Sequence, residues 1–162
     1  MIIVTTLIYQ KNRIEEILTC IRENLQHTCI EGVVCFLERT LGDGDLYKTL
    51  QEIHSVDVQV VYTRPSVHFM LAYMNKHHSN KVCIVTNSDI SFHSSIQKVK
   101  KIDFNKCNLA LTRYNILAHT MATSGDTYPG IIKVIDGITL KTMFHHGAST
   151  DSWFFKLSLI HI

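Results

Sequence analysis

Apolar residues along the chain fall in short β-branched runs, and the stretches between them carry a helical period. Residues 2–8 form an apolar run closed by Gln10, Lys11 and Asn12, and predict a buried strand. From Arg13 the period changes. Ile14, Ile17, Leu18, Ile21 and Leu25 share one face of a helix predicted over 13–25, with Glu15, Glu16, Arg22 and Glu23 opposite. Residues 32–37 predict a second buried strand ending at Glu38, 41–45 a turn, and 46–53 a short helix. A third strand at 58–62 is stopped by Pro65, which suits the first turn of a helix running to His77. A fourth strand, 82–86, leads directly into Asn87-Ser88-Asp89. Beyond it, 94–101 read as helix, 109–113 as strand and 119–130 as loop. Residues 131–135 and 140–144 read as strands near an Asp136-Gly137 turn, and 153–159 as the opening of a helix.

Strands and helices alternate four times before residue 110, which implies βαβ crossovers and an α/β fold on a mostly parallel sheet. No linker or internal repeat interrupts the pattern, so a single domain is expected. At 162 residues, 46% of them hydrophobic, the chain has material for one ordinary core. A net charge of +2 is too small and too dispersed to indicate a nucleic-acid partner, and the basic run Lys98-Val99-Lys100-Lys101 reads as a solvated helix face. The five cysteines form no C-x-x-C pair, and Cys35 and Cys83 sit within apolar runs, so free thiols in a reducing compartment are expected and a structural zinc site is not. No apolar run approaches the roughly 18 residues of a membrane span. The apolar start lacks a charged leader and a cleavage site and reads as a strand, so a cytoplasmic location is expected.

Open parallel sheets bind ligands beyond the carboxyl ends of their strands. Here those ends carry residues 6–12, Glu38, residues 62–64 and residues 87–89. Neither the G-x-G-x-x-G fingerprint nor the P-loop pattern is present, so a nucleotide would have to be held by another route. Asp89 stands where a strand leaves the core. A carboxylate there suits Mg²⁺ or Mn²⁺ whose other positions take diphosphate oxygens and water, and it equally suits an Asx-turn closing the strand. Asp151 follows small residues and precedes an aromatic block, a place for a general base on a hydroxyl or for a helix N-cap. His145 and His146 are adjacent, so on a strand they face opposite sides and do not share a metal. No G-x-S-x-G supports a serine nucleophile.

Tyr62-Thr63-Arg64-Pro65, Asn87-Ser88-Asp89-Ile90-Ser91-Phe92, Leu111-Thr112-Arg113-Tyr114 and Ser149-Thr150-Asp151-Ser152-Trp153-Phe154-Phe155 follow one another in an order that resembles a group of GT-A-type glycosyltransferases found in large algal viruses and in bacteria. Those proteins carry N-S-D-I-x-F and S-x-D-x-W-x-F segments, and the resemblance spans roughly residues 1–156. It implies a GT-A-like, Rossmann-like three-layer α/β/α sandwich. It also implies metal-dependent, inverting transfer from a UDP- or GDP-linked sugar to a glycan or other hydroxyl acceptor, in host cytoplasm if the source is viral. The family's D-x-D motif falls at residues 87–89, with Asn87 in its first position, so Asp89 alone offers a carboxylate to Mn²⁺ or Mg²⁺. Asn87 and Ser88 join the nucleotide-sugar contacts. By the same resemblance Thr6, Tyr9, Asn12, Arg13 and Glu38 would border the nucleoside, and Arg64 would approach the base, ribose or diphosphate. Asp151 would be the catalytic base and Trp153 would pack beside the acceptor cleft. Family members continue past this last segment, so the chain reads as truncated, with 157–162 a non-native tail. The substituted motif and early end favour, as the alternative, a domain that binds a nucleotide or glycan without turnover. A metal-dependent phosphotransferase or nuclease would call for more clustered carboxylates.

Overall fold

The structure is a computed structural model and describes residues 1–40, 43–105, 107–112, 131–135, 138–142 and 150–156. In chain order the elements are β1 (Ile2–Ile8), α1 (Ile14–Leu25), β2 (Gly32–Glu38), α2 (Gly44–Glu52), β3 (Val56–Val61), α3 (Val67–His77), β4 (Val82–Thr86), β5 (Leu109–Thr112), β6 (Ile131–Ile135), β7 (Ile138–Thr142) and β8 (Thr150–Lys156). A 3-10 turn, Lys11–Arg13, leads into α1, and a longer 3-10 segment, Ser94–Lys101, follows β4.

Six strands form one sheet in the order β3-β2-β1-β4-β8-β5. β1 to β4 are mutually parallel, and β8 runs antiparallel between β4 and β5. β6 and β7 pair separately as an antiparallel two-stranded sheet. The central strands are buried on both faces, which is why they read as continuous apolar runs rather than alternating ones. Ile3, Leu7, Val33, Cys35, Leu37, Ile84 and Phe154 point to one face, where α1, α2 and the 3-10 segment cover them through Ile17, Leu18, Ile21, Leu46, Leu50, Ile96 and Val99. Ile2, Val4, Val34, Phe36 and Cys83 point to the other, beneath Met70 and Met74 of α3. The result is the expected three-layer α/β/α arrangement.

Local details follow the residues. Gly32 opens β2 because a Cβ there would lie 3.0 Å from the Ser55 carbonyl oxygen. Helix α3 begins two residues after Pro65. Ser66 is its N-cap, its Oγ accepting from the Phe69 N–H at 3.1 Å. All five cysteines are free, with Cys35 and Cys83 fully buried and their thiols pushed up to about 12 by burial. No helix among the described residues is long and apolar enough to cross a membrane.

One predicted element is overturned. Residues 153–159 read as a helix opening, but Thr150–Lys156 is a strand. Ser152 and Phe154 are buried while Trp153 between them is 50% exposed, the two-residue period of a strand. Aromatic residues favour that setting, and Asp151 therefore does not cap a helix. Phe154 is fully buried, whereas Trp153 stands half exposed. The predicted loop 119–130, the Asp136-Gly137 turn, His145, His146 and the tail 157–162 lie outside the described residues.

Candidate functional site

The order of the sheet reverses at β1. The chain moves outward from β1 through β2 to β3, then returns by way of α3 to β4, on the other side of β1. At such a reversal the loops leaving the two adjacent strands diverge and leave a crevice at their carboxyl ends. A cavity of about 250 Å³ lies there. The end of β1 contributes Thr6, Leu7 and Ile8 to its wall, and Gln10, Arg13 and Ile17 come from the turn and helix that follow. Phe36 and Glu38 of β2, Arg64 and Pro65 after β3, and Asn87, Ser88 and Asp89 after β4 complete it.

Seven residues singled out in the sequence are therefore brought together: Thr6, Arg13, Glu38, Arg64, Asn87, Ser88 and Asp89. Two are not. Tyr9 is half-buried and packs against the main core, and Asn12 is exposed on the 3-10 turn. Asp151 lies on β8, where Ser152 pairs with Leu111 and Thr150 with Thr112. Asp151 is thus the extra residue of a β-bulge. Because Ser152 pairs with Thr86, that bulge sits at the carboxyl end of β4, the sheet edge from which residues 87–89 emerge.

The dominant polar contact in the cavity wall joins two of the predicted residues. Arg13 Nη2 donates to Asp89 Oδ2 at 2.7 Å, while Arg13 Nε donates to Glu16 Oε2 at 3.0 Å. The bond to Glu16, then that to Asp89, holds the guanidinium still further into its charged range. The other Asp89 oxygen, Oδ1, is buried and has no hydrogen-bond partner among the described residues. The side chain of the N-cap residue, Arg13, does not cap the amino end of α1, which begins beside the cavity.

Asp89 is braced from behind by the far end of α1. Asn24, buried on that helix, donates through Nδ2 to the Ile90 carbonyl at 2.8 Å and accepts at Oδ1 from the Phe92 N–H at 2.8 Å. The Phe92 carbonyl accepts from His27 Nε2 at 2.6 Å, which fixes that nitrogen as the protonated one. Ser91 Oγ donates to Glu23. One helix therefore holds the segment after β4 at both ends. The sequence carried a sign of this. Asn24 stands three residues after Ile21, a polar residue on the core-facing stripe, and a buried amide needs partners.

The sequence matches no protein-family model, and it matches no curated protein. Among solved structures, a 4-diphosphocytidyl-2C-methyl-D-erythritol synthase is similar over 99% of this chain and 76% of its own, at 13% identity and a TM-score of 0.55. HddC from Yersinia pseudotuberculosis is similar over 98% of this chain and 78% of its own, at 10% identity and a TM-score of 0.51. The galactosyltransferase LgtC, solved with donor and acceptor sugar analogues, aligns over 98% of this chain but 58% of its own, at 9% identity and a TM-score of 0.48. At these identities what is shared is the fold, a GT-A-like, Rossmann-like mixed α/β sheet with helices on both faces.

Proposed function

We propose that the cavity receives the diphosphate end of a UDP- or GDP-linked sugar and that the chain transfers the sugar to an acceptor hydroxyl in the cytosol. The observation that carries this reading is the cavity at the β1/β4 reversal, whose wall sets Arg13 and Arg64 among Glu38, Asn87, Ser88 and Asp89. Its volume is below that of clefts that enclose a whole drug-sized ligand, so it would hold part of a donor, with the rest lying along the strand ends. Guanidinium groups suit phosphate oxygens through paired N–H donors, and an uncapped helix start favours the same anion. Both would neutralise charge growing on the departing nucleoside diphosphate.

Asp89 fits a hard divalent cation of one kind. Its Oδ1, unpartnered among the described residues, is an anionic oxygen with spare coordination, and Mg²⁺ commonly takes one or two carboxylates with substrate phosphates and water completing the shell. No group of three or more metal-ligating side chains occurs among the described residues, so a fully protein-built cage does not fit. Mg²⁺ or Mn²⁺ held by Asp89 would supply Lewis-acid neutralisation of the leaving diphosphate. Asp151, on the bulge at the same sheet edge, is the base in this reading. Its carboxylate takes the proton of the acceptor hydroxyl as that oxygen attacks the anomeric carbon opposite the diphosphate, which inverts the centre. Bulges recur beside active sites because they re-aim a side chain.

The test is donor hydrolysis by the purified chain. Mn²⁺-stimulated release of UDP or GDP from the sugar nucleotide is expected, and Asp89→Ala is expected to abolish it. Unchanged hydrolysis in that variant, or none with any donor, would sink the reading. The Arg13–Asp89 ion pair favours a second possibility, binding without turnover, because it already satisfies half of the one carboxylate. Calorimetry that shows donor binding with no product would select it.

A further inference from the structure

We propose that Arg13 is a resident counter-ion for Asp89, released when a divalent cation and a diphosphate arrive together, so that Arg13 makes metal binding depend on the diphosphate. This rests on the reading of Asp89 as a metal ligand. Arg13 spans two carboxylates, Asp89 through Nη2 and Glu16 through Nε. Glu16 lies one helical turn away and its side chain is 52% exposed, so the guanidinium keeps a partner when it leaves Asp89. Of the Arg13–Asp89 pair, the arginine is the removable member: its side chain is 38% exposed against 21% for the carboxylate. Asp89 is also the anchored member, because Asn24 and His27 fix the backbone just beyond it.

The electrostatics give the coupling its sign. With Arg13 on Oδ2, a divalent cation on Asp89 places three positive charges around one carboxylate, an arrangement of low metal affinity. A diphosphate relieves it from both directions. Its oxygens coordinate the metal, and they also offer the guanidinium, already in the cavity wall, a new acceptor. Metal and diphosphate therefore bind cooperatively, and by linkage each tightens the other by the same factor.

The experiment measures free Mn²⁺ by electron paramagnetic resonance, with Mn²⁺ alone and with Mn²⁺ plus UDP. The chains compared are the unsubstituted protein, Arg13→Gln, Arg13→Met and Asp89→Asn. Arg13→Gln is expected to bind Mn²⁺ alone about tenfold more tightly, near the low end of ordinary coupling, and to lose most of the tightening that UDP gives the parent chain. Arg13→Met, which keeps the aliphatic stem, is expected to match it. If both variants leave the affinity for Mn²⁺ alone unchanged or weaker, while Asp89→Asn abolishes binding, Arg13 is not the counter-ion and the metal reading stands. If the parent chain binds no Mn²⁺ with or without UDP, the metal reading and the counter-ion fall together.

Discussion

Two carboxylates sit at opposite edges of the parallel sheet, each paired with at least one cation, and they are satisfied to different degrees. Glu31, just before β2, lies at the amino ends of the strands. Its Oε1 accepts from the Met1 ammonium at 2.9 Å and its Oε2 from Lys81, just before β4. The bond from Lys81, then that from the ammonium, holds its carboxyl down at about 2. Asp89, at the carboxyl ends, has one cation on one oxygen and, among the described residues, no partner on the other. Three buried side-chain polar atoms among the described residues lack a partner, Thr5 Oγ1, Thr40 Oγ1 and Asp89 Oδ1, and Asp89 supplies the one that is ionisable. Buried polar groups are normally paired, so an unpartnered carboxylate oxygen on a residue that lines the cavity is where the proposed binding chemistry would be completed. Glu31 with its two cations is a staple; Asp89 with its one is the place proposed above for the ligand.

The largest expected effect breaks the two apart. Asp89→Asn should lower donor hydrolysis by about 10²- to 10³-fold, the scale for losing a group that stabilises transition-state charge. Its stability should stay within about 1 kcal/mol of the parent, since the ion pair removed is partly exposed. Glu31→Gln should leave hydrolysis unchanged. Rate assays with chemical denaturation on both variants test this, and comparable losses of turnover in the two would erase the distinction.

A smaller effect asks how firmly the Asp89 edge is held. Asn24→Ala removes two hydrogen bonds and leaves the Ile90 carbonyl and the Phe92 N–H short of a partner. The expected cost is about 2 kcal/mol, a fall in melting temperature of about 5 °C for a domain of this size. Hydrolysis should fall less than in Asp89→Asn. A loss below about 0.5 kcal/mol would mean that the segment after β4 is held by something other than α1.

Much of this was legible in the sequence because it rests on local period. β1, α1, β2 and β4 have the predicted boundaries to within a residue or two, since a strand buried on both faces and a helix with one apolar stripe leave distinct patterns. The strand-end rule assembled Thr6, Glu38, Arg64 and Asp89 at one cavity without any contact being known. Three things were not legible. Asp151 followed small residues, like an N-cap, and only pairing with β4 and β5 shows a bulged strand. Tyr9 follows an apolar strand just as Gln10 does, but it turns into the core and Gln10 lines the cavity, a choice the backbone makes after the strand ends. The Arg13–Asp89 pair joins residues 76 positions apart, and no spacing rule reaches that far.

The smallest expected effect concerns the satisfied carboxylate and appears only in acid. Because the folded-state pKa of Glu31 is depressed, to about 2 from an ordinary 4.5, its contribution to stability is complete above pH 4.5 and is lost as pH falls through about 2. The side chain is 47% exposed, so solvent screening limits that contribution to about 1 kcal/mol or less. Many carboxylates titrate over the same range, and the informative quantity is the difference between the parent chain and Glu31→Gln. Denaturant unfolding at pH 6 and at pH 3 should show the parent losing more stability than the variant, with the gap between them narrowing in acid. Parallel losses would mean that Lys81 and the Met1 ammonium hold Glu31 no better than water does, and the contrast with Asp89 would then rest on the cavity alone.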